Sequence, residues 1–82
     1  MKDHTFLGIK LNSTATSALL IQEAMAGQPD SLWVELFSML LEKPGYHQEN
    51  LYWVSVFQSQ EASQNTYIRY AANALLKHRR VT

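Results

Sequence analysis

The run from Leu32 to Leu41 constrains this chain more than any other stretch. Eight of its ten residues are apolar, and the polar positions Glu35, Ser38 and, just beyond, Glu42 fall at i, i+3 and i+7. That spacing puts all three on one narrow stripe of a helix and leaves the rest of the circumference to be covered by other parts of the chain. Pro29 and Asp30 mark the start of the helix, and Lys43-Pro44-Gly45 ends it, because proline removes a ladder donor and disfavours helix in the residue before it. The segment 30–42 is therefore read as the core helix, with Trp33, Phe37 and Leu40 at its centre.

An 82-residue chain has room for one domain, 1–82, and buries only about 60% of its unfolded surface, so self-association would add to a limited core. Residues 1–4 are polar and are expected to be disordered. From Thr5 to Leu11 the alternation of Leu7, Ile9 and Leu11 with Phe6, Gly8 and Lys10 gives the period of a half-buried strand. Asn12, Ser13 and Thr14 can each cap a helix, and Gly27 suits the position just past its end, which predicts a helix over 13–26. That helix is so lightly polar that it must be covered on several sides.

After Gly45 the chain has neither Gly nor Pro. The segment 51–57, Leu-Tyr-Trp-Val-Ser-Val-Phe, is rich in β-branched and aromatic residues, but its flanks are not turn-rich and contain helix formers, and helix is the preferred reading. From Ala62 to about Arg79 a helix is expected, with Tyr67, Ile68, Tyr70, Ala71, Ala74 and Leu75 on its apolar face. The fold class that follows is mainly α: three to four helices with a short N-terminal strand. The alternative is an α+β fold with 5–11 and 51–57 as strands.

Composition excludes several classes. Seven basic residues balance seven acidic ones, so no net field attracts nucleic acid or an anionic membrane. Residues 1–46 nevertheless carry two excess negative charges and residues 47–82 two excess positive ones. There is no cysteine, hence no disulfide, thiolate metal site or thiol nucleophile. His4, His47 and His78 lack the i, i+3 or i, i+4 spacing of a helical metal clamp, and no phosphate-binding glycine loop or nucleophile elbow occurs. No catalytic, cofactor or metal residues are assigned, and the chain reads as non-enzymatic. Without a signal-like or membrane-spanning run, a cytoplasmic location is expected.

The remaining signal is aromatic and basic. Tyr46, Tyr52 and Trp53 exceed what a small core needs, and Arg69, Lys77, Arg79 and Arg80 form a basic edge near the C-terminus. Aromatics beside arginine have the composition of binding hot spots. The expected function is that of a small regulatory or adaptor-type protein that binds another protein and self-associates, with a dimer favoured.

Residues 5–42 also resemble a ribbon-helix-helix unit: an alternating strand, a cap at Asn12, a helix closing at Gly27, a turn through Asp30 and Ser31, and a second apolar helix. The resemblance implies a dimeric DNA-binding regulator or antitoxin in which strands from two chains pair. Phe6, Gly8 and Lys10 would then face the major groove, and Pro29, Asp30 and Ser31 would form a turn near a phosphate. The match covers just under half the chain and departs in charge: of the three outward residues only Lys10 is basic, and Asp30 would face phosphate.

Overall fold

The computed structural model describes residues 4–42 and 52–80, the last three as backbone only. In chain order the elements are β1 (Thr5–Phe6), β2 (Ile9–Lys10), α1 (Ala15–Met25), α2 (Asp30–Glu42), α3 (Tyr52–Gln58) and α4 (Thr66–Arg80). The fold is mainly α, with a small antiparallel hairpin at its N-terminal end.

The expected single strand over 5–11 is instead two strands folded on each other, with Phe6 opposite Ile9 and Thr5 opposite Lys10. The two-residue loop between them has positive φ at both Leu7 (53°) and Gly8 (77°), the requirement of a type I′ turn. The Leu11 N–H donates to the His4 carbonyl at 2.8 Å, so residue 4, expected to be frayed, helps close the hairpin. Alternation fails across the turn: Phe6 is buried with Leu11, whereas Leu7 is half exposed. Residues 5–11 are thus not the extended strand that a ribbon shared by two chains requires. Of the positions that the resemblance turned outward, Phe6 lies in the core, Gly8 in the turn and Lys10 is exposed, and Ser31, given to the phosphate-side turn, is exposed as well.

The entrance to α1 is held by a small polar network. Thr14 is the N-cap, and its Oγ1 accepts the Ser17 N–H at 3.1 Å. Asn12 Oδ1 accepts the Thr14 N–H at 3.0 Å, an Asx turn that sets the approach to the cap. Ser17, a buried polar residue at 3% exposure, donates its hydroxyl to the Lys10 carbonyl at 2.9 Å and accepts the Asn12 N–H at 3.2 Å. The hairpin is thereby fastened to the first turn of the helix. At the other end Ala26 (φ −60°, ψ 124°) and Gly27 (φ 78°) form a turn of type II geometry, closed by the Gln28 N–H on the Met25 carbonyl at 3.1 Å.

The bounds of α2 match expectation. Its first bonds run from the Leu32 and Trp33 N–H groups to the Pro29 carbonyl, which places Pro29 just before the helix rather than in its first turn. The Asp30 carboxylate occupies that first turn, where the helix dipole favours negative charge.

Segment 52–58 is a helix, and the strand alternative does not hold. Its buried residues Trp53, Val56 and Phe57 recur at i, i+3 and i+4, a helical period. The helix ends without Gly or Pro because the Ser59 hydroxyl bonds back to the Val56 carbonyl at 2.7 Å and the chain tightens through Gln60 and Glu61. The last helix starts at Thr66, not Ala62, since Asn65 caps it: Asn65 Oδ1 accepts the Ile68 N–H at 3.1 Å.

Principal packing pairs α1 with α3, α2 with α4 and α3 with α4. Through the centre runs a chain of rings. Trp33 meets Phe37 edge-on at 5.5 Å, Phe37 meets Phe57 edge-on at 6.1 Å, and Phe57 stacks on Trp53 at 6.0 Å. Ile21, Met25, Leu36, Leu40, Ile68 and Leu75 fill the space around them.

Candidate protein-binding face

The site is built on α4. Its buried stripe is Ile68, Ala71, Ala72, Leu75 and Leu76, positions i, i+3, i+4, i+7 and i+8. The small Ala71 and Ala72 let the backbone of α4 lie close to its neighbours, and the paired leucines fill the end of the core. That register turns Tyr70, Asn73 and Lys77, also at i, i+3 and i+7, to the opposite side.

The apolar face therefore differs from the one expected. Tyr70 is 63% exposed and Tyr67 38%, so neither tyrosine belongs to the core. Their rings lie 6.3 Å apart at a 46° tilt. Tyr67 OH shares a hydrogen bond of 2.9 Å with Ser38 Oγ, which anchors the first ring against α2 and leaves Tyr70 as the outer member of the pair. Beyond it a hollow of about 370 Å³ is lined by Tyr70, Asn73, Ala74 and Lys77. The hollow exists because Ala74, one turn on from Tyr70, has only a methyl group to fill it.

Asn73 is not free to rotate into this hollow, because its Nδ2 donates to the Arg69 carbonyl at 2.8 Å. Arg69 in turn donates from Nη1 to the Ser63 carbonyl at 3.3 Å, holding the guanidinium over the α4 cap. An aromatic face, one fixed amide and a lysine thus share one helical surface. This arrangement suits a partner with an apolar side chain flanked by carboxylates.

Of the residues assigned to protein binding from sequence, Lys77 lies in this hollow and Arg69 is exposed on the other flank of α4 from Tyr67. Tyr52 is 53% exposed at the start of α3. Trp53 is a correction: it is fully buried, stacked on Phe57, and its Nε1 donates to the Asn12 carbonyl at 2.9 Å, so it is a core residue. Tyr46 and the side chains of Arg79 and Arg80 lie outside the described residues. From sequence Tyr67, Tyr70 and Ala74 were placed on the apolar face of the helix, and the structure turns both tyrosines outward. The signal for them is the Ala71-Ala72 and Leu75-Leu76 doublets, which complete a core stripe with Ile68 and need no tyrosine.

Further hollows lie among the described residues. One, of about 250 Å³, lies where the hairpin meets α1, and another, of about 460 Å³, lies among the ends of α1 and α3 and the start of α2. Among the described residues no three His, Asp or Glu side chains are grouped to hold a metal, and no helix is long and apolar enough to cross a membrane. No protein-family model matches the chain, and neither does any curated protein or solved structure.

Proposed function

We propose that this chain is a small non-enzymatic adaptor or regulator that works by binding another protein through the outer face of α4. The observation that carries the reading is Tyr70, 63% exposed beside a hollow whose rim is Lys77. A tyrosine ring offers a large contact area at a low cost in side-chain entropy, and its exposure costs the free protein apolar hydration that a partner would relieve. The basic Lys77 and Arg69 give the partner its expected charge. Carboxylates around an apolar anchor would complement them, and the attraction would raise the rate of encounter more than the final affinity.

The test is affinity capture with the full chain against Tyr70→Ser and Lys77→Glu, followed by titration of any partner that wild type retains. Loss of a hot-spot tyrosine should weaken binding by at least about tenfold, the equivalent of 1.4 kcal/mol. The Lys77→Glu effect should shrink as salt is raised. Hydrogen exchange on the complex should protect residues 66–77. A partner held equally well by all three proteins would refute this face as the binding site.

A further inference from the structure

A second surface carries an inference that does not rest on α4. Helix α1 is apolar on two sides. One side, Ala18, Ile21 and Met25, is in the core. The other presents Thr16, Leu19, Leu20 and Glu23, all exposed and spaced i, i+3, i+4 and i+7, the pattern with which a helix packs along another helix. Leu19 is 50% exposed and Leu20 45%, although leucines at this spacing normally line a covered seam. The seam continues into the hairpin, where Ile9 and Lys10 share a groove with Thr16 and Leu20.

The charges along this seam are self-complementary. Lys10 stands beside the first turn of α1, where its carbonyl accepts the Ser17 hydroxyl, and Glu23 stands in the last turn. A carboxylate there opposes the helix dipole, and no basic residue in that turn offsets it. Between Lys10 and Glu23 the sequence has no other charged residue. An antiparallel copy would set its own Lys10 and the positive end of its α1 against Glu23, and its leucines against Leu19 and Leu20.

We propose that the outer face of α1 pairs two copies of this chain about a two-fold axis, with the α1 helices antiparallel and Lys10 of each copy facing Glu23 of the other. Each residue then meets the same surface from the other side, as an isologous interface requires. The helix is 11 residues long, about 16 Å at 1.5 Å per residue. With the hairpin beside it, such a face falls at the small end of specific interfaces, about 1,200 Å² over both partners. Pairing two chains in this way would give the assembly two α4 faces.

Sedimentation velocity on the full chain, from about 1 µM to several hundred micromolar at low salt, tests the proposal. Wild type should pass from its 9.4 kDa monomer to twice that mass. Leu20→Glu should raise the dissociation constant at least tenfold, with the monomer still folded by circular dichroism because the side chain is already half exposed. Lys10→Glu and Glu23→Lys should each weaken pairing several-fold, and the double variant carrying both should recover it. A chain that stays monomeric throughout this range overturns the proposal. So does a dimer that survives Leu20→Glu but is lost in Tyr70→Ser, which would place self-association on α4. If pairing behaves as expected while Tyr70→Ser leaves partner capture unchanged, the α4 reading fails and this one stands.

Discussion

Replacing Trp53 tests the core most directly. The ring is fully buried, lies 6.0 Å from Phe57 at a 24° interplanar angle, and holds the Asn12 carbonyl through Nε1. Trp53→Ala deletes the largest fully buried side chain, and such truncations cost about 3–5 kcal/mol. Losing the indole hydrogen bond adds about 1 kcal/mol. At roughly 0.05–0.15 kcal/mol per residue, a chain of this length holds about 4–12 kcal/mol in all, so the alanine variant should lose at least about a third of its stability. Trp53→Phe keeps a ring on Phe57 while removing the second ring and the N–H donor, and should cost about 1.5–3 kcal/mol. Urea melts followed by far-ultraviolet circular dichroism measure both, provided the slope of the transition is unchanged. Amide exchange should also quicken at residues 12–17 in Trp53→Phe, where the anchored loop enters α1. A Trp53→Phe unfolding free energy within about 0.5 kcal/mol of wild type, with exchange at those amides unaltered, would refute this account of the core.

Phe37→Ala, which breaks the ring chain between Trp33 and Phe57, should cost about 3–5 kcal/mol in the same melts. Ser17→Ala removes a buried hydroxyl that serves both the Lys10 carbonyl and the Asn12 N–H, and should cost about 1–3 kcal/mol, with exchange rising first in the hairpin. Gly27→Ala meets no atom within 4 Å, so its cost should be conformational alone, about 1 kcal/mol, and Gly27→Asn should cost less. Tyr70→Ser should leave the melting midpoint nearly unchanged, because its side chain lies outside the core. A large loss there would show that the ring is structural.

The bounds of α2 were legible because its signals agree: a proline before it, a proline-glycine pair after it, and one polar stripe between. Helix α3 was legible only through flanks poor in turn residues, because the residue types favour strand and a seven-residue run is too short for its period to decide. The hairpin was not. A type I′ turn is ordinarily announced by Asn-Gly or Asp-Gly, and here a leucine occupies the first left-handed position, so Gly8 was the lone sign within an otherwise regular alternation. The tyrosines of α4 were misplaced because hydropathy groups them with Ile68 and Ala71, whereas depth in the bundle is decided by which side of the helix the small Ala71-Ala72 step can bring close. Trp53 illustrates the converse. Its composition suggests an interface, but one carbonyl 41 residues away satisfies its N–H and permits full burial.

The order in which the helices pack also sets the order in which the chain can gain structure. Among the principal helix pairs of the described residues, α3 and α4 are the one consecutive pair, and α1 and α2 each find their main neighbour two elements onward. The second half can organise locally, whereas α1 and α2 must wait for it and then close long loops to dock. On a ribosome the organising half is made last, so the apolar α2 emerges well before α4 is complete. Nascent chains stalled before residue 66 should therefore expose α2 to chaperones and proteases, and variants in the α3–α4 contact should slow refolding more than variants at Met25 in α1.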